Sequence, residues 1–561
     1  MNRFAGLPIS ASAAIGYGYN AAGQLASLAL PSGKMITYGY NANGQVTSVT
    51  LNGSPNVTIL SNVTYDPFGP ITGWTWGNST TASRTFDTDG KLTQVTSSGQ
   101  RSFGYDDAFR ITAANDVTTP ANSWTLGYDI LDRLNSATKP STTIGYTYDA
   151  DGNRLTQAGT SASTYTIPGT SNKLSSVTGV LARTYTYDAV GNALTTGVTT
   201  HTYNNRGRMK TGKLNAATPT TYIHNALGQR IKKSGGPQVT TVFMYDEAGH
   251  LVGEYTISAG AAVRVQETVW LGDIPVATLR TNGANVDVFY VHTDQINTPR
   301  KVSRPSDNKL RWSWDPTPFG EGAPNENPSV PALGVFKYNL RFPGQYFDVE
   351  TNLNYNYFRD YDPAIGRYVQ SDPIGLYGGM NTFAYVGGNP LSRIDIYGLW
   401  WLGDPLPASV VNVAAGFGDG VSSVLTFGLY STSDVRRAFG IDGGVDECAS
   451  SYASSKYSGY AWGAATLWAA GLNGGANSAF WAGRGASAEA AALGTTIGGT
   501  PIGAILTAAG VESRLVWGAA SATFAANASR AVAVIRYVAP NSLWRVEQAI
   551  REARRVAITY H

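Results

Sequence analysis

The sequence predicts a mainly β chain that ends in a mainly α region, and three observations carry that reading. Tyr and Gly are abundant, at 32 and 64 of 561 residues, while only 14% of residues are charged. A tyrosine followed by Asp or Asn, with Gly four residues after the Tyr, recurs through the first half. At Trp400 this text stops and an Ala/Gly-rich one begins. With 42% hydrophobic residues the chain can bury a sizeable core, which excludes intrinsic disorder. Gly and Pro together stay far below a collagen-like level. Cys448 is the single cysteine, which excludes a disulfide scaffold and a Cys-based zinc site. A formal charge of +3 is too small to point to nucleic acid. Residues 1–17 carry no continuous apolar stretch of the signal-peptide kind. The longest nearly apolar run, 460–471, is too short to span a bilayer.

The repeats set the first part of the fold. Full copies stand at Tyr40-Asn41 with Gly44, Tyr65-Asp66 with Gly69, Tyr148-Asp149 with Gly152, and Tyr187-Asp188 with Gly191. Two more are Tyr203-Asn204 with Gly207 and Tyr245-Asp246 with Gly249. Degenerate copies lie at Phe86-Asp87, Tyr105-Asp106, Tyr128-Asp129 and His224-Asn225. Each copy reads as an alternating aromatic/Thr strand, a turn, and a second alternating strand. The Asp bonds the turn locally and the Gly takes a positive φ. Such a hairpin cannot hide its apolar face alone and must stack on its neighbours. Repetition in every unit points to turn and packing chemistry for these Tyr and Asp residues rather than to a ligand site.

This ordered array resembles the YD repeats of Rhs and teneurin-type proteins and of toxin-complex C components. The text that follows it resembles the Rhs repeat-associated core. That second likeness rests on Val291-His292-Thr293-Asp294 with Thr298-Pro299-Arg300, on Trp314-Asp315-Pro316 with Phe319-Gly320, and on 342–348. It continues through 357–363 with Gly366-Arg367 and closes on 371–376. The resemblance implies a β-hairpin spiral shell over residues 1–399 and a variable C-terminal toxin. The division it suggests is repeats at 1–255, core at 256–399, an apolar linker at 400–480, and an effector tip at 481–561.

The same resemblance implies autocleavage of the aspartic-protease kind at the end of the core. The first of two D-P-x-G elements is Asp372-Pro373-Ile374-Gly375, and the second reads Asp395-Ile396-Tyr397-Gly398-Leu399, with Ile396 in place of Pro. By analogy the cut falls between Leu399 and Trp400, with Asp372 and Asp395 catalytic. Peptide hydrolysis needs one carboxylate to deprotonate water and a protonated one to polarise the carbonyl. Two carboxyls brought to about 3 Å cannot both ionise, which drives their pKa values apart. Arg359 and Arg367 are candidates to pair with a carboxylate or steady an oxyanion; both read equally well as salt-bridge residues.

Beyond Trp400 the residue inventory prunes chemistry. Lys456 is the single lysine there, Cys448 the single cysteine, and His561 the single histidine. Zinc-dependent deamination, His-based nuclease chemistry and Cys–His hydrolysis are disfavoured by that shortage. NAD-consuming, ADP-ribosyltransferase-like transfer built on Arg, Ser and Glu survives, with NAD as substrate and Arg484, Glu489, Ser521 and Glu547 as candidates. The shell itself calls for no cofactor and no metal. The last fifty residues hold seven Arg against three Glu, which suits an anionic substrate, a membrane surface, an immunity partner, or simply a solvated helix face.

The expectation is therefore an Rhs-type polymorphic toxin that encapsulates its effector, cuts it free, and serves interbacterial or host antagonism. Its expected partners are a cognate immunity protein, delivery machinery, a nucleic-acid or protein target, and a further chain that completes the shell. It would be cytoplasmic in the producer and then delivered, type VI-like or surface-associated, without a signal peptide. The alternatives are a surface-exposed YD-repeat adhesion protein with an inert tail, a nuclease tip, and a truncated remnant.

Overall fold

The computed structural model describes residues 14–399, apart from 68, 237–238, 259–260 and 283–284, together with 456, 477–482, 495–496, 530–535 and 558–560. The chain divides into two compact units, Met1–Gly403 and Asp404–His561.

The alternating Tyr/Thr text of the first unit forms antiparallel strands, each paired with the strand next in sequence. One meander of 17 strands runs from Gly16–Tyr19 to Arg183–Thr184, and a second of 13 runs from Thr186–Tyr187 to Leu310–Ser313. The second passes through residue 255 within the strand Leu251–Ser258. A four-stranded antiparallel sheet follows, made of Tyr346–Asp348, Leu353–Asn356, Arg359–Asp362 and Arg367–Tyr368.

The repeat motif is a turn with one geometry. In 86–91, Gly90 N–H donates to the Asp87 carbonyl (3.0 Å), and Asp87 Oδ1 accepts from the Asp89 and Lys91 N–H groups (3.0 and 2.8 Å). Gly90 has φ +78°, the left-handed region in which a side chain is strained. The degenerate copies place Phe109 (φ 61°) and Asp132 (φ 60°) in the same conformation. Five tyrosines of the first meander tie their units to the preceding one. Tyr40 Oη donates to Leu25 O, Tyr65 to Val46 O, Tyr105 to Leu92 O, Tyr128 to Ile111 O and Tyr148 to Leu134 O, at 2.8–2.9 Å. Every acceptor lies five residues beyond the Asp or Asn of the previous turn, which for Leu25 is the turn at Asn20, closed by Gly23 N–H donating to Asn20 O (3.0 Å).

The core sits where the sheets meet. Leu60, Trp74 and Trp76 of the first meander pack with Val276, Leu279 and Tyr290 of the second, and Trp76 stacks on Tyr290 with centroids 4.5 Å apart. The four-stranded sheet is held to the second meander by Tyr346 and Tyr355 against Phe243 and Tyr245. It is also held by a buried charge cluster, in which Arg230 pairs with Asp348 and Lys233 lies 3.2 Å from both Asp348 and Glu350. Burying these charges is tolerable because each has an opposite partner.

In the second unit the described strands Asn477–Ala482, Thr495–Thr496, Arg530–Ile535 and Ile558–Tyr560 form a parallel sheet in which Asn477–Ala482 and Arg530–Ile535 are central. The sequence reading of this region held no strands. The helical runs it expected lie outside the described residues, as do Trp400, Arg484, Glu489, Ser521 and Glu547.

Candidate functional site

The two D-x-x-G elements at the end of the first unit are built as repeat turns. Gly375 N–H donates to Asp372 O (2.9 Å), and Asp372 Oδ1 accepts from Ile374 N–H (2.9 Å). Asp395 Oδ1 accepts from Leu399 N–H (3.0 Å), four residues on, as in the repeats. Gly375 and Gly398 have φ of 63° and 68°. The turn at Asp395 forms with Ile396 where the family pattern has Pro. What separates these turns from the repeats is burial: the side chains of Asp372 and Asp395 are only 1% and 3% exposed.

Arg359 brings the two aspartates together. Asn356 stands directly across the sheet from Arg359, and Tyr361 across from Tyr368. Arg359 and Tyr361 share a face by the two-residue period, which puts Arg359 on the diagonal from Tyr368, within reach of a long side chain. The guanidinium lies 3.6 Å from the Tyr368 ring centroid. Its Nη2 is 2.9 Å from Asp372 Oδ2 and 3.4 Å from Asp395 Oδ2. Its Nε donates to Gly398 O (2.6 Å) and its Nη1 to Thr382 O (3.0 Å). The pair is thus bridged by Arg359, one of the two arginines that the sequence offered as partners for a carboxylate.

Asp372 Oδ2 and the Leu399 carbonyl oxygen converge on Gly378. A Cβ at Gly378 would collide with the first and lie 2.8 Å from the second. Burial raises the Asp372 pKa to about 6, with Arg359 pulling it back and Asp395 pushing it up. Burial also raises that of Asp395, opposed by Arg359, the Tyr368 hydroxyl and the Leu399 and Gly398 N–H groups, all of which favour the charged form.

Arg367 stands elsewhere. It donates to Asn172 O (2.5 Å) and covers the Phe383 ring at 4.9 Å, joining the loop at 383 to the first meander. Sequence reasoning missed Gly378, Tyr368 and Asn356. The signals available were the Gly378-Gly379 pair inside the loop between the two aspartates, and a tyrosine directly after Arg367.

A two-meander array of tyrosine-tied hairpins, closed by a carboxylate pair at its last turn, defines a YD-shell protein. The chain belongs to that family: the Teneurin YD-shell pattern matches residues 40–144 and 96–382, and the RHS Repeat pattern matches 19–54. It is similar to the double-stranded DNA deaminase toxin A of Burkholderia cenocepacia and to the toxin protein Tse5 of Pseudomonas aeruginosa. Each is 38% identical over 112 residues, which are 20% of this chain and 8% of the relative. It is 32% identical to the probable deoxyribonuclease RhsB of Dickeya dadantii over 181 residues, 32% of this chain and 12% of that one. Among solved structures, TcdB2-TccC3 without its hypervariable C-terminal region aligns at 18% identity and a TM-score of 0.59. The alignment covers 69% of this chain and 21% of that one. The Tc holotoxin pore of Photorhabdus luminescens aligns at 20% identity and a TM-score of 0.58, with the same coverage. The matched stretches are a small part of each of these proteins, and the structural likeness is one of fold.

Proposed function

We propose that this chain is the shell and effector portion of an Rhs-type polymorphic toxin, and that it cuts itself between Leu399 and Trp400. The observation that carries the cut is the convergence of Asp372 Oδ2 and the Leu399 carbonyl oxygen on Gly378, with Arg359 joining Asp372 to Asp395. In this reading Asp395 takes a proton from water while the water oxygen bonds to the Leu399 carbonyl carbon. Asp372, whose pKa of about 6 leaves it partly protonated near neutrality, donates to the carbonyl oxygen. The C–N bond then breaks as Asp395 passes the proton taken from water to the Trp400 nitrogen and the re-forming carbonyl returns a proton to Asp372, leaving a Leu399 carboxylic acid that ionises in solvent and a free Trp400 amine.

Intact mass of the expressed chain tests this directly. Wild type should yield a fragment ending at Leu399, and Asp372→Asn and Asp395→Asn should each run as one uncut chain. An uncut wild type, or cleavage unaffected by both substitutions, sinks the proposal.

Division at 255, 399 and 480 into repeats, core, linker and effector belongs to the same reading. The relatives' names support an exchangeable effector: one is called a DNA deaminase and another a probable deoxyribonuclease. For this chain, NAD-consuming transfer remains the chemistry that its residue inventory favours. Delivery into a target cell, an immunity protein in the producer, and a partner that completes the shell complete the proposal. The TcdB2-TccC3 titles, which pair two names in one complex, support the last of these.

A further inference from the structure

Resting on that autocleavage reading, we propose that Tyr368, held by Asn356, is a positioning residue that assigns the base role to Asp395. Tyr368 Oη donates to Asp395 Oδ2 (2.8 Å), and Asp372 has no corresponding hydroxyl donor among its hydrogen bonds in the described residues. Asn356 Nδ2 donates both to Tyr368 Oη (2.6 Å) and to the Asp395 main-chain oxygen (3.0 Å). One amide therefore fixes the phenol against the main chain that carries the Asp395 carboxylate. All three side chains are buried, so the phenol has little alternative hydrogen bonding.

The donor is permanent. Burial and the nearby Asp395 hold the Tyr368 pKa well above its usual value, so the hydroxyl keeps its proton throughout the range in which carboxylates titrate. The groups that face Asp395 electrostatically are Arg359, Asp372, Tyr368 and Tyr385. Arg359 reaches both aspartates through one nitrogen and lies nearer Asp372 (2.9 Å) than Asp395 (3.4 Å), so it is not what selects Asp395 as the ionised partner. Tyr385 acts at longer range; its ring centroid lies 5.7 Å from that of Tyr368. Tyr368 is thus the side chain that favours Asp395 as the ionised partner, acting beside the Leu399 and Gly398 N–H groups, because a hydrogen bond donated to the ionised form favours ionisation.

The sign follows. Tyr368→Phe removes a donor to the charged form of Asp395 and raises its pKa, so a reaction that needs Asp395 ionised loses rate on the acid side. The limb set by protonated Asp372 stays where it was. Full-length chain recovered uncut in denaturant is diluted into buffers from pH 4.5 to 8.5. Cleavage after Leu399 is followed by intact mass, and folding by tryptophan fluorescence. Tyr368→Phe should fold and move the acid limb up by about one pH unit, roughly a tenfold slower cut at a given pH on that limb. Tyr361→Phe is the control, since its hydroxyl donates to Phe319 O in the same aromatic cluster (2.7 Å); its profile should match wild type. If Tyr368→Phe fails to fold, Asn356→Ala should move the same limb in the same direction. Wild type that never cuts overturns the cleavage reading and this inference with it. Wild type that cuts, beside a Tyr368→Phe that folds and keeps both limbs, or a Tyr361→Phe with an equal shift, overturns the positioning role alone.

Discussion

Gly378 shows how narrow the candidate site is at the scale of single residues. Its missing side chain is what lets the Asp372 carboxylate and the Leu399 carbonyl oxygen share one space. Gly378→Ala should therefore reduce cleavage by about a hundredfold, the cost expected for an ångström-scale misplacement of reacting groups. The remainder of the unit should stay folded; self-cleavage at the wild-type rate would show that the close approach is not used. Asp372 supports a second prediction, about stability. Its folded pKa of about 6 stands above the ordinary carboxyl value of 3.8. Burial of the carboxyl is thus least costly below about 3.8 and becomes progressively unfavourable as pH rises through about 6. Two ionised aspartates share one guanidinium, leaving a buried net negative charge that Asp372→Asn removes. In chains ending at Leu399, Asp372→Asn should melt higher than wild type at pH 7.5, with the gap closing by pH 4. A wild type that melts higher at pH 7.5 would mean that Arg359 needs both charges. Such a trade of stability for a strained site is common where chemistry is done.

Among the elements, the hairpin unit was readable in sequence because its information is local. Asp, a Gly three residues on, and flanking alternation lie within about ten residues, and the turns carry the Asp-to-backbone bonds and positive φ that this spacing implies. The tyrosine tie was not readable, although the tyrosine itself was. Its acceptor, a main-chain oxygen 13 to 19 residues back, is chosen by strand register, which no local pattern states. The carboxylate pair was legible as two copies of a turn motif and Arg359 as a candidate partner for one of them, whereas its reach to both and the Tyr368 hydrogen bond to Asp395 needed the folded sheet. The four parallel strands beyond residue 477 were missed because Ala/Gly-rich text has no alternation to signal a strand. The tie predicts a graded effect. Tyr128→Phe should cost about 1 kcal/mol in chemical denaturation, the net worth of one such hydrogen bond. It should also lower amide protection around Ile111, whose carbonyl it frees. Tyr19→Phe, which loses only an exposed bond to Glu247, should change neither. Equal effects at the two positions would mean that the ring, and not the hydroxyl, joins the units.

At the scale of the whole molecule, the question is how the effector would be housed. The first unit's cavity beside the four-stranded sheet holds about 830 Å³ and is lined by Lys233, Glu254, Gln266, Glu326, Arg341 and Asp362. That is the volume of a small-molecule site, in the range of about 300–1,000 Å³. A segment of some 160 residues, 400–561, needs more than ten times as much space at protein packing density. That cavity does not house the effector, and the proposed shell-completing partner would supply the remaining enclosure. Limited proteolysis of the purified chain checks this. With the partner absent, residues after Leu399 should be digested within minutes, while 14–399, secured by its strand ladders and buried aromatics, persists as a resistant band. Adding a shell-completing partner should protect the segment without altering the mass of the 399-residue fragment. If 400–561 is already as resistant as the first unit in the isolated chain, it folds as a protease-stable body that needs no enclosure, and the chain is better understood as an exposed array carrying a stable tail.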